Sequence, residues 1–171
     1  MRVAKFQKVS SKQFLSDYMD MYEDDRDYII EGVREKIKFP KRATAQSAGY
    51  DFYAPFDIEL KPGETILITT GIKCKIDKGF VLKMYPRSSL GFKYEIMLAN
   101  TVGIIDGDYY NNRNNEGHIM VKIVNRSKNK AMTLKEGEAF CQGIFEEYHI
   151  TYDDNAEGER VGGIGSTGKS I

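Results

Sequence analysis

The chain has few of the residues that mark a metal centre, a disulfide framework or a membrane segment. Only two cysteines, Cys74 and Cys141, occur in 171 residues, far apart and without a CxxC pair. In a reducing compartment they read as small buried hydrophobes or inert thiols. The two histidines, His118 and His149, form no ligand cluster, which leaves a protein-bound zinc unsupported. Any metal is expected to be a hard cation held by oxygens or carried in with a substrate. No stretch approaches the ~18 apolar residues of a transmembrane helix. The opening Met1-Arg2-Val3-Ala4-Lys5-Phe6-Gln7-Lys8 lacks an apolar run of signal-peptide length. A cytoplasmic location without membrane contact is therefore expected. An excess of one charge is missing too, because 25 Lys plus Arg balance 25 Asp plus Glu. A protein that coats nucleic acid by bulk charge needs a basic excess, so no nucleic-acid partner is expected. The balance still allows a local anion site.

What is present is ordinary globular composition, 41% hydrophobic and 29% charged, in a length that suits one domain with an appendage. Residues 2–9 alternate weakly and read as a short strand. Ser10 followed by Gln13 is a capping-box pattern, in which each side chain satisfies the other's backbone donor. Phe14, Leu15, Tyr18 and Tyr22 then recur at helical spacing. A second short helix is expected from Asp25 to Lys36, with Ile29, Val33 and Ile37 on one face, closed by Pro40. From about residue 48 the texture changes to short β-branched and aromatic runs between turn signals, which predicts strands without intervening helices. Ile72, Cys74 and Ile76 alternate with Lys73, Lys75 and Asp77, a strand with one wet face. Further runs lie at 66–70, 80–85, 95–99, 103–105, 118–124 and 139–150. Many short strands at close spacing predict a sandwich, jelly roll or small barrel. Residues 151–171 are polar and contain five glycines, the composition of a mobile tail.

Five stretches carry candidate chemistry. The tail Arg160-Val161-Gly162-Gly163-Ile164-Gly165-Ser166-Thr167-Gly168-Lys169 combines crowded backbone donors with arginine and hydroxyls, a phosphate clamp or a solvated linker. It is not a P-loop, because GxxxxGK[ST] is absent. Tyr85-Pro86-Arg87-Ser88-Ser89 places a guanidinium beside two hydroxyls, able to hold charge-dense oxygens or to form an ordinary turn. In Asn100-Thr101-Val102-Gly103-Ile104-Ile105-Asp106-Gly107-Asp108-Tyr109-Tyr110, Asp106 sits where a strand meets a turn, as a base for water or as a cap. Ser47-Ala48-Gly49-Tyr50-Asp51 implies close packing, with Tyr50 in the core, plus one placed carboxylate. Finally, Gln142 stands in an apolar strand after the Lys135–Glu138 turn and needs a hydrogen-bond partner if buried.

Taken in order, AGYD, PRSS, VGIID–DY, the turn-Gly-Glu-apolar-Gln strand and the terminal R…GGxGSTG resemble the five motifs of the trimeric dUTP diphosphatases, over about residues 37–171. The resemblance implies an all-β fold, a distorted jelly-roll or β-clip barrel with a short N-terminal helical insertion, assembled as a homotrimer. It implies one barrel domain over residues 1–150, with the insertion at about 11–36, and a tail, 151–171, that closes over the active site. The implied reaction is hydrolysis of dUTP to dUMP and pyrophosphate with Mg²⁺, in sites shared between subunits. This keeps uracil out of DNA and supplies dUMP for thymidylate synthesis. Asp106 matches the carboxylate that activates the attacking water. Arg87, Ser88, Ser89 and Gln142 match phosphate contacts, and Asp51 matches a supporting carboxylate. Asn100, Gly103, Ile105 and Tyr109 match the pocket for uracil and deoxyribose. Arg160, Ile164, Gly165, Ser166 and Thr167 match the tail's contacts. No direct protein ligand to the metal is implied, since triphosphate and water would hold it.

Three departures stand out. The Asp108–His118 stretch is about six residues longer than the usual turn, and its asparagines suit a longer surface loop. Ile164 replaces the aromatic residue common at that place, losing a stacking contribution of about 0.5–1.5 kcal/mol. Arg160 stands one residue nearer the Gly-Gly pair than is usual. Two other readings compete. The related dCTP deaminases carry a catalytic glutamate where this chain has Lys122, which cannot serve. A trimeric interaction protein with residual nucleotide binding would use the helical insertion and the 110–117 loop as surface for a protein partner.

Overall fold

The computed structural model describes residues 1–22, 27–158 and 160. Among them, strands dominate. The chain enters through β1 (Ala4–Lys8) and turns into two helices, α1 (Ser11–Tyr22) and α2 (Asp27–Lys36). The strands β2 (Lys41–Arg42), β3 (Tyr50–Tyr53), β4 (Ile58–Leu60), β5 (Thr65–Thr69), β6 (Ile72–Ile76) and β7 (Phe80–Pro86) follow. A short helix, α3 (Ser88–Tyr94), leads to β8 (Ile96–Leu98) and β9 (Gly103–Ile105). A 3-10 turn (Gly107–Tyr109) and a loop precede β10 (Met120–Asn125), β11 (Met132–Leu134) and β12 (Ala139–Glu147).

The strands fall into four hydrogen-bonded sheets: β2-β3-β12-β7-β9, β5-β10-β8, β1-β6 and β11-β4. The all-β expectation therefore holds at the level of a strand-rich fold, while the strands do not join into one closed barrel. The pairings are antiparallel, and the inward faces supply one core that includes Phe52, Ile68, Leu82, Ile123 and Phe140. In β6 the buried residues are Ile72, Cys74 and Ile76, as the alternation predicts.

The helical insertion forms as expected, with two corrections. Ser10 Oγ does accept from the Gln13 N–H at 3.1 Å. Gln13 does not return the bond. The Ser10 N–H instead donates to Glu116 at 3.1 Å, and its hydroxyl donates to the same carboxylate at 2.6 Å. A charged acceptor at a helix start also suits the helix dipole. In α2 the buried isoleucine is Ile30, not Ile29, alongside Ile37. Either isoleucine fits a helical stripe, and packing selects one. Lys8 Nζ donates to the Arg34 and Glu35 carbonyls at the end of α2, at 3.1 and 3.2 Å, satisfying orphan acceptors. α1 lies on β5, the edge of its three-stranded sheet. There the Tyr22 hydroxyl donates to the Leu67 carbonyl at 2.7 Å and accepts from the Thr69 N–H at 3.2 Å. The helix thereby closes an edge that would otherwise expose backbone groups.

One further expectation fails and another holds only in part. Strands without intervening helices are contradicted by α3, which buries only Leu90. At seven residues it is too short for a helical stripe to show. The Asp108–His118 stretch is a surface loop at Asp108, Asn111, Arg113 and Asn114, but other side chains of it turn inward. Asn112 and Asn115 are buried, and Asn112 Nδ2 donates to the Tyr109 carbonyl and to Asn115 Oδ1, both at 2.8 Å. Gly117, at φ 77°, lies against the Tyr109 carbonyl, where a side chain would collide with backbone.

Candidate active site

β9 delivers the candidate acid. It pairs with β7 through Leu82↔Ile105 and Met84↔Gly103, and ends at Asp106, whose extended backbone (φ −79°, ψ 159°) opens the 3-10 turn. The Asp106 side chain makes no capping bond to that turn, so its carboxylate turns to a partner outside it. It accepts from Arg160 Nη2 at 2.5 Å, while Asp108 accepts from Arg160 Nε at 2.8 Å. Asp106 keeps 45% of its side-chain surface exposed, against 17% for Arg160.

Beside this pair opens a cleft of about 560 Å³, lined by Leu67, Met84, Leu98, Ala99, Asn100, Gly103, Ile104, Ile105, Tyr109, Met120, Val121, Lys122 and Arg160. Apolar walls with a few convergent polar groups are the usual form of a small-molecule site. Tyr109 forms a buried wall. Its hydroxyl donates to the His118 carbonyl and accepts from Asn115 Nδ2, both at 2.8 Å. The Arg160 guanidinium stands 5.9 Å from the ring centroid. Burial pushes the Tyr109 phenol above its usual value, against the opposing hydrogen bond from Asn115.

A second cluster lies across β3, β12 and the start of α3. Asp51 and Gln142 are register partners. Arg87 Nε pairs with Asp51 Oδ1 at 3.4 Å, and Gln142 Nε2 donates to the Pro86 carbonyl at 3.3 Å. Gly49 allows this approach, because a side chain there would meet the Gln142 amide oxygen. Ser88 and Ser89 begin α3 with exposed side chains.

The structure thus brings Asn100, Gly103, Ile105, Tyr109 and Arg160 together around one cleft, with Asp106 paired to Arg160 beside it, and gathers Asp51, Arg87 and Gln142 separately, with Ser88 and Ser89 beside them. The second group does not line the cleft. Ile164, Gly165, Ser166 and Thr167 lie outside the described residues. Sequence reasoning passed over Lys122 as a cleft residue and undervalued Asp108, whose partner is 52 residues away. Only the i, i+2 spacing of two acids beside a glycine hinted at it. Among the described residues no group of three or more His, Cys, Asp or Glu side chains gathers around a metal position. No described helix is long and apolar enough to cross a membrane.

A strand-rich fold with a mostly apolar cleft, an arginine lining it and an accessible carboxylate beside that arginine has the form of a binding site for a small anionic ligand. The comparisons give that class a family. A sequence model described as dUTPase matches residues 35–168. The chain is 45% identical over 134 residues to the deoxyuridine 5'-triphosphate nucleotidohydrolase of Lactococcus lactis subsp. lactis, covering 77% of this chain and 89% of that protein. It is 37% identical over 145 residues to the protein of that name from Escherichia coli O9:H4, covering 80% and 91%. The crystal structure of the dUTPase from Streptococcus mutans matches with TM-score 0.64 at 36% identity, over 85% of this chain and 97% of that one. The chain belongs to the dUTPase family.

Proposed function

We propose that the chain is a dUTP diphosphatase, converting dUTP to dUMP and pyrophosphate. The observation that carries this is its 45% identity, across most of both chains, to a protein named for that activity, together with an accessible Asp106 paired to the cleft residue Arg160. Such a reaction needs a positioned water, a base and neutralisation of phosphate charge. Asp106 takes the proton of the attacking water, which adds to the α-phosphorus and releases pyrophosphate. The exposure of its carboxylate and its place at a strand end support that role. Arg160 trades Asp106 and Asp108 for phosphate oxygens when substrate enters. Asn100, Gly103 and Ile105 face uracil, and the Tyr109 ring packs against the deoxyribose.

Mg²⁺ would be held mainly by the triphosphate and water rather than by protein side chains, with the Asp51 carboxylate supporting its water shell. When bound, Mg²⁺ would neutralise charge on the triphosphate oxygens. Arg87, Ser88, Ser89 and Gln142 contact phosphate, Asp51 orients Arg87, and the tail through Ile164, Gly165, Ser166 and Thr167 closes over the nucleotide. The separation of this cluster from the cleft supports a site completed by a second copy. A jelly-roll homotrimer in a cytoplasmic setting follows from the same reading. Exposed Phe92, Met97 and Ile104 offer apolar surface for assembly.

The test is pyrophosphate release from dUTP, dCTP, dTTP and UTP, with Mg²⁺ and with EDTA. Release from dUTP alone, abolished by EDTA, is expected. Equal turnover of dCTP, or none of dUTP, overturns the reading. Sedimentation of the full chain should give three times the monomer mass.

A further inference from the structure

We propose that Asp17, in the N-terminal helical insertion, is a positioning residue for the nucleotide cleft. It acts through His118 to fix Tyr109, and so sets affinity for dUTP and preference over UTP. The inference rests on the proposed function and extends it to a residue that no motif contains.

Asp17 projects from α1 onto a wholly buried imidazole, with Oδ2 2.6 Å from His118 Nδ1. The other ring nitrogen, Nε2, accepts from the Gly71 N–H at 2.7 Å. An accepting Nε2 leaves the ring proton on Nδ1, so Asp17 is the acceptor. With both nitrogens tied, the His118 ring is held in one orientation. Its own carbonyl receives the Tyr109 hydroxyl at 2.8 Å, and Tyr109 is a cleft wall. Asp17 therefore reaches the cleft through one rigid residue.

Docking of the helix does not account for Asp17. Tyr22 already ties α1 to β5 at Leu67 and Thr69, and Phe56 packs edge-on against both Tyr18 and Tyr22. Glu116 holds the helix start. A carboxylate only 12% exposed is costly to bury for packing alone. What it adds is orientation of a buried ring, the role a carboxylate plays behind a histidine elsewhere in protein chemistry.

The test uses the full-length protein, with Asp17→Ala to remove the acceptor and Asp17→Asn to keep one. Steady-state kinetics are measured with dUTP and UTP, and binding of a non-hydrolysable dUTP analogue by calorimetry. Nitrogen-15 NMR reads the His118 tautomer. For Asp17→Ala we expect KM for dUTP and the analogue Kd to rise about tenfold, with kcat within about twofold. The dUTP-over-UTP ratio should fall by a similar factor, and the His118 Nδ1–H signal should shift. Asp17→Asn should return KM and the ratio to within about threefold of wild type. If Asp17→Ala keeps wild-type KM and selectivity, the inference falls while the function stands. It also falls if kcat, KM and melting temperature drop together and Asp17→Asn drops with them, since that marks a purely structural residue. A wild-type protein that neither binds the analogue nor cleaves dUTP overturns the functional reading and this inference with it.

Discussion

The polar groups of this chain are used in two opposite ways. Around Asp106 and Arg160 they are accessible and few, and their contacts must exchange when a ligand arrives. Around Asn112, Asn115 and His118 they are sequestered, with Glu116 half-buried beside them, and each finds a fixed partner within the protein. The contrast shows where the fold tolerates loose bonds and where it does not. The exchangeable pair sits at the rim, and the fixed network stands behind the one wall, Tyr109, that both regions share.

Breaking the exchangeable side should give the largest effect. Asp106→Asn keeps the size of the side chain and removes the base, so kcat should fall by about 10²–10⁴ with the melting temperature unchanged. Pyrophosphate assays and thermal unfolding on the same sample check this. The fixed side should fail in the opposite manner. Asn115→Ala leaves the Gly117 N–H without its acceptor and takes one of two partners from the Tyr109 hydroxyl and from Asn112 Nδ2, and should cost about 1–3 kcal/mol in denaturant unfolding.

Glu116 sharpens the comparison through pH. Burial would raise its carboxyl, but hydrogen bonds from Ser10 and the Lys73 ammonium overcome this and hold it at about 2, against an ordinary 4.5. Because the folded state has the lower value, the stabilisation is present in full above 4.5 and is lost as pH falls toward about 2. Glu116→Gln should destabilise by about 1–2 kcal/mol at neutral pH. Its unfolding curve should converge on wild type as the pH drops through that window. The smallest effect belongs to an exposed pair outside both regions. Lys135→Ala, which removes the contact to Asp57 at 2.6 Å, should leave stability and turnover indistinguishable from wild type.

The sequence made some of this legible for physical reasons. Asp106 follows an apolar run, and the end of such a run is where a strand meets a turn, so its placement was open to reading. The β6 alternation was equally plain. The Asn-rich stretch was legible only in part, because asparagine signals turns whether they are wet or buried, and the burial of Asn112 and Asn115 depends on the side chains satisfying one another. The Ser10–Glu116 bond could not be read at all, since Gln13 offered a nearer and conventional partner. Asp17 looked like any polar residue on an amphipathic helix until His118 was placed beneath it.

The bond from Ser10 to Glu116 joins residues 106 positions apart, and that separation bears on synthesis. A twelve-residue helix such as α1 is marginal alone. During translation at about 5–20 residues per second, its capping partner emerges roughly 5–20 s later. Through that interval Phe14, Tyr18 and Tyr22 have no completed surface to cover. A helix made before every strand of the main sheets is thus among the last elements to lock, and until then its aromatic face lacks the surface it covers.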